Sequence, residues 1–128
     1  MLGLFVVRVA SGALMLTGHG WPKLVHFPDK MESFPDPLGL GPAVSLGLAV
    51  FAEFFCSVLL VLGVGTRLVA VPLVVTMAVA AFLVHAGEPL SDRELPLLYG
   101  AAFLALVAGG GGKYQLGGIL GGMLARYS

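Results

Sequence analysis

AVSLGLAVFAEFFCSVLLVLGVGTRLVAVPLVVTMAVAAFLVHA, residues Ala43–Ala86, is two apolar runs joined by one tight turn. Each run approaches the ~20 residues with which a helix crosses a ~30 Å hydrocarbon core. The joint Gly63-Val64-Gly65-Thr66-Arg67 supplies glycines able to end a helix in the left-handed conformation. Thr66 stands where a hydroxyl can cap the next helix. The stretch therefore reads as an antiparallel pair of transmembrane helices. Pro72 falls in the first turns of the second, where its missing N–H does least damage.

Outward from this hairpin lie two more apolar runs. With approximate bounds, the predicted spans are 2–21, 43–63, 68–86 and 95–109, with an interfacial Gly-rich tail over 110–128. The whole chain of 128 residues is expected to be a single transmembrane domain. The expected fold is all-α: an integral membrane four-helix bundle with short loops and one longer Pro-rich loop between the first two helices. A mean hydropathy of +0.98 with 58% hydrophobic residues lies outside the range of soluble domains. No run carries the polar stripe of a soluble amphipathic helix. Met1-Leu2-Gly3 lacks a basic n-region and a small-residue cleavage site, so the first run reads as a retained span.

Prolines 22, 28, 35, 37 and 42 forbid one continuous helix through the first loop. Phe27, Met31 and Phe34 are spaced to line one face of an interfacial turn. Trp21 fits the aromatic belt, and Ser91-x-x-Glu94 has the pattern of a capping box for the last span. Lys113, Tyr114, Arg126 and Tyr127 are expected to anchor the tail at the interface.

Net charge is zero, which gives no reason to expect nucleic acid as a partner. The expected setting is the cell inner (plasma) membrane. Arg67, Lys113 and Arg126 on one side balance Lys23, Lys30 and Arg93 on the other. The amino terminus breaks the tie toward cytoplasmic termini. Cys56 is the only cysteine, so an intrachain disulfide, a CxxC pair and a Cys-rich metal site are all excluded. It reads as a small buried apolar side chain.

The ionisable residues inside or at the rims of the runs are the functional clue, because charge in lipid is expensive. Counting ~1.5 Å per residue from flush helix ends puts Arg8 about 9 Å and Glu53 about 15 Å deep, which predicts a buried Arg8–Glu53 pair. Arg8, Gly12, Met15 and His19 share one helical face. Small residues beside the charges either let helices approach closely or leave a cleft, and both readings fit. At the opposite rim His19, Lys23, His26, His85 and Glu94 fall at one membrane face, which predicts a polar cavity opening there. Each also has a plainer reading, as an interfacial residue, a helix cap or half of a structural ion pair.

HGWPKL (His19–Leu24), AEFFCSVLLVLGVGTRLVA (Ala52–Ala70), His85, ELPLLYGAAFLAL (Glu94–Leu106) and GGGGKYQL (Gly109–Leu116) together resemble the DoxX family of small bacterial and archaeal membrane proteins. The match runs over essentially the whole chain. It departs where the family has an aspartate after the last element, since Leu116 is followed by Gly117. The resemblance implies a four-helix bundle tied to redox chemistry, such as a subunit of a thiosulfate:quinone oxidoreductase or a partner in thiol and superoxide defence. Relatives with disulfide chemistry use paired cysteines, which this chain lacks. By matching position it carries over Arg8, His19, Lys23, Glu53, Arg67, His85 and Glu94. Of these His19, Glu53 and His85 are the candidate catalytic residues, and Arg8, Lys23, Arg67 and Glu94, with Tyr99 added, are the candidate ligand-binding residues.

The expected function is a membrane component of a quinone-linked or oxidative-stress redox system that binds quinone within the bundle. His19 or His85 would face the quinone carbonyls and Glu53 would relay protons. No flavin or iron–sulfur site is visible, so electrons must come from a soluble or membrane redox partner protein. A homo-oligomer is a further possible assembly, and the lipid bilayer is the constant partner. The alternative is a non-enzymatic scaffold or small-solute conduit. A third reading is a haem bundle with His19 and His85 as axial ligands, although both stand at helix ends.

Overall fold

The structure, a computed structural model, describes residues 2–112, so the tail anchors Lys113, Tyr114, Arg126 and Tyr127 lie outside the described residues. The described residues are helical with no strand. Helix α1 spans Leu2–Val25, the short α2 Phe27–Lys30, α3 Pro42–Leu62, α4 Thr66–Val84 and α5 Leu90–Gly109. Three of them, α1, α3 and α4, are long and apolar enough to cross a membrane. The turn between α3 and α4 uses both glycines in the left-handed region, Gly63 at φ 76° and Gly65 at φ 58°.

Two expected caps are absent. Gly65 and Pro89 occupy the capping positions of α4 and α5, and neither helix has a side-chain cap hydrogen bond. Instead Arg93 ties α5 down. Its Nε donates to the Ala81 carbonyl at 2.9 Å, and its guanidinium lies 5.4 Å from the Phe82 ring centroid.

Three helices contain a π-helical segment: Leu16–Gly20 in α1, Phe51–Cys56 in α3 and Ala80–Val84 in α4. A π turn inserts a residue and re-aims the side chains that follow. In α1 the buried positions run Arg8, Ser11, Gly12, Met15 and Gly20. The last step of five residues replaces His19 by Gly20 on the face packed against α3.

That substitution sets the α1–α3 register. A Cβ on Gly20 would collide with the Glu53 carbonyl and stand 2.8 Å from Phe54 Cα. One on Gly12 would stand 2.9 Å from Val61 Cγ2. Glycine at both points lets the two backbones close on each other, as small residues do between membrane helices. Helix α5 lies along α4 and α1, and the core of Met15, Cys56, Leu60, Leu73, Met77, Phe103 and Leu106 sits among the four long helices. Large apolar side chains such as Leu14, Phe55, Val75 and Phe82 are more than half exposed, a surface that suits a lipid surround.

The seam makes a directional prediction. Gly20→Ala gains helix propensity, yet its methyl meets unyielding backbone, so it should destabilise the protein by ~1–3 kcal/mol. Gly18→Ala, with nothing within 4 Å of the added Cβ, should be neutral or stabilising. Thermal unfolding of the two variants in one detergent checks the contrast.

Candidate functional site

Glu53 is the deepest carboxylate among the described residues, with 2% of its surface exposed. Its partner is Lys23, whose Nζ lies 2.5 Å from Glu53 Oε1. The expected Arg8–Glu53 contact, direct or through one water, is therefore corrected to Lys23–Glu53. Helix α1 is not flush with α3: Gly20 stands opposite Glu53, which leaves Arg8 about 18 Å farther along the axis. Arg8 is buried toward the other end of the molecule, its guanidinium 5.4 Å from the Phe5 ring centroid. Lys23 is partly exposed, so removing it is the costly half of breaking the pair, at about 3 kcal/mol, because it leaves the buried Glu53 uncompensated.

Above and beside the pair lies a cavity of about 490 Å³, within the range of small-ligand sites. Met15, Ala49 and Met77 line its apolar part, while His19, Lys23, Glu53, Thr76, His85, Asp92 and Tyr99 supply the polar groups. His19 meets Tyr99 edge to face, ring centroids 5.6 Å apart, and Tyr99 stacks on Phe103 at 5.9 Å. The His19 ring is thus held by an aromatic wall while remaining on the cavity lining. His85 stands on the rim with Nδ1 2.5 Å from Glu88 Oε2, both side chains partly exposed. His19 and Glu53 lie within two of the π segments, and His85 directly follows the third.

The structure thus brings five of the eight candidate residues to one cavity: His19, Lys23, Glu53, His85 and Tyr99. Arg8, Arg67 and Glu94 do not line it. Arg67 is exposed beside the α3–α4 turn, at the opposite end of the helices, and Glu94 points outward from the first turns of α5. Asp92 takes the lining position expected of Glu94, because α5 begins at Leu90 and rotates Glu94 away. His26 pairs with Asp29 at 3.7 Å on the exposed surface. Among the described residues no group of three or more His, Cys, Asp or Glu gathers for a metal ion.

The roof was not expected from sequence. Phe34, Pro35, Pro37, Leu38 and Leu40 from the Pro-rich loop cover the cavity, and the Phe34 ring centroid is 5.8 Å from Lys23 Nζ. One carboxylate holds this roof. Asp36 accepts from Ser45 Oγ at 2.9 Å, Leu40 N at 2.9 Å and Gly41 N at 2.8 Å. The readable signal was an aspartate ahead of two glycines and the start of a helix, a common side-chain-to-backbone turn. Gly41, at φ 100°, makes the turn into α3 that brings Ser45 within reach.

A family model described as DoxX matches residues 3–86. Two proteins of Haemophilus influenzae, each described as an uncharacterized protein, are similar to this chain. One is 33% identical over 111 residues, covering 83% of this chain and 70% of the relative. The other is 36% identical over 111 residues, covering 81% of each. No solved structure matches the chain.

The Ser45 hydroxyl, seconded by the Gly41 and Leu40 amides, holds the Asp36 carboxyl below its ordinary value of 3.8. Because the folded value is depressed, the latch is at full strength above 3.8 and is lost as the pH falls through the depressed value. Amide exchange at Leu40 and Gly41, corrected for its intrinsic pH dependence, should stay protected from neutral pH down to that region and lose protection below it. Asp36→Ala should expose the same amides at neutral pH while α3 and α4 stay protected.

Proposed function

This chain belongs to the DoxX family of small membrane proteins, and from that premise we propose that it binds a quinone-type redox ligand in the α1–α3–α4–α5 cavity. The observation that carries the reading is the make-up of the cavity: a mostly apolar volume of about 490 Å³ with its polar groups gathered around one buried ion pair. A quinone ring needs an apolar slot together with hydrogen-bond donors for two carbonyls. Lys23, His19 and Tyr99 carry the donors, and Met15 and Met77 line the slot.

Reduction of a quinone to a quinol takes up two electrons and two protons. This chain's part is the protons and the binding. The His19 imidazole can both give and take a proton at the cavity lining, and Glu53, paired to Lys23, stands next in line as a relay. The electrons come from a redox partner protein in the membrane or at its surface. In this reading α5 is the fourth span. Its 20 residues reach about 30 Å, and the charges at Asp92, Arg93 and Glu94 sit at the membrane face beside the cavity mouth. The setting is the cell inner (plasma) membrane with the termini cytoplasmic, which turns the mouth to the outer side.

Titration of a short-chain benzoquinone into the detergent-purified protein tests the binding. Wild type should saturate, and both His19→Ala and Glu53→Gln should weaken binding by about tenfold or more, the loss of one good polar contact at roughly 1.4 kcal/mol. A melting curve for each variant separates lost binding from lost folding. Wild type that fails to bind, or binding unchanged in both variants, points instead to a scaffold or conduit in which the charges only hold helices together.

A further inference from the structure

A second concavity lies between α1 and α5, a groove of about 340 Å³ walled by Val6, Ala10 and Leu14 on one side and Leu98 and Ala102 on the other. It carries no charged side chain. The Ser11 hydroxyl in its floor is already spent on the Val7 carbonyl, at 2.5 Å. The groove is open to the surroundings, with Leu14 60% and Leu98 68% exposed.

What distinguishes it from an ordinary lipid-facing furrow is continuity. Leu95 and Tyr99 line both the groove and the main cavity. On α1 the lining passes without a break from His19 and Met15 in the cavity to Leu14 and Ser11 in the groove. The charged groups all lie at the cavity end, and from Leu14 to Val6 the groove runs on for about 12 Å in surroundings that are apolar but for the Ser11 hydroxyl.

We infer that the groove is the seat of the ligand's apolar tail, so that the protein takes membrane-soluble quinones bearing an alkyl or isoprenoid chain, entering sideways between α1 and α5. This rests on the quinone reading of the cavity. The occupant is a tethered tail, not a free acyl chain, for an energetic reason. Bilayer lipid is as apolar as the groove, so a free chain gains little by moving into it. A tail already attached to a headgroup held at His19 is present at high effective concentration and need only pack. Tyr99, between the two spaces and edge-on to His19, stands at the junction of head and tail.

The test uses the full chain in lipid nanodiscs and two quinones with the same headgroup, one without a tail and one with a long isoprenoid tail. Dissociation constants are referred to ligand concentration in the membrane, which removes simple partitioning. Ala102→Phe and, independently, Ala10→Phe fill the groove from opposite walls. Each should weaken the tailed quinone by about tenfold and leave the tail-free one within about twofold, so that the second ligand also reports intact folding. Variants that weaken neither ligand, or both equally, overturn the tail site while leaving the cavity reading in place. Wild type that binds neither quinone overturns both.

Discussion

A carboxylate in the middle of an apolar helix must be neutralised, and in this protein the cation that does so comes from the far end of a neighbouring helix. The Lys23–Glu53 pair joins α1 to α3 at the one level where polar groups gather. Bringing it within ion-pair distance requires α1 and α3 to touch, which is the role of Gly20 against the Glu53 backbone. Gly20 faces α3 only because the π turn over Leu16–Gly20 adds a residue to the helical repeat. The same extra residue turns His19 from the α1–α3 seam toward the cavity and Tyr99. Ion pair, glycine seam and cavity lining are thus consequences of one local irregularity.

Much of this was legible in the residues, and the failures share a cause. The long helices, the left-handed glycines of the α3–α4 turn and the gathering of His19, Lys23 and His85 at one face follow from hydropathy and connectivity. The partner of Glu53 did not, because counting depth from flush ends ignores both the offset of α1 and its π turn. Arg8 and Glu53 share a depth only if neither exists. Glu94 was misplaced for a similar reason: α5 starts at Leu90 without the expected cap, and Asp92 takes the cavity-facing position. The roof was hidden because prolines say where a helix cannot run and not where the chain goes. Its anchor, Asp36 to Ser45, joins residues nine apart across a turn that only Gly41's backbone explains.

The proposed function rests on the contrast within the cavity. Charge gathers at one end, at the ion pair, His85 and Asp92, and beyond Met15 and Tyr99 the lining is apolar but for the Ser11 hydroxyl and opens between α1 and α5. Such a shape suits a molecule with a polar ring and an apolar chain better than a small ion or a soluble metabolite. Membership in the DoxX family fits this reading, and the single buried Cys56 gives no partner for thiol exchange. The Pro-rich loop lines the polar end, and the Asp36 latch holds it there.

The central claim is that Lys23 and Glu53 act as one neutralised unit. A double-mutant cycle on thermal stability, with Lys23→Met, Glu53→Gln and the two combined, measures it directly. The account predicts that Lys23→Met alone is the most damaging change, costing about 3 kcal/mol or more by stranding a buried carboxylate. The double variant, with no charge left to neutralise, should then be more stable than Lys23→Met alone. Single effects that simply add in the double variant would contradict the account.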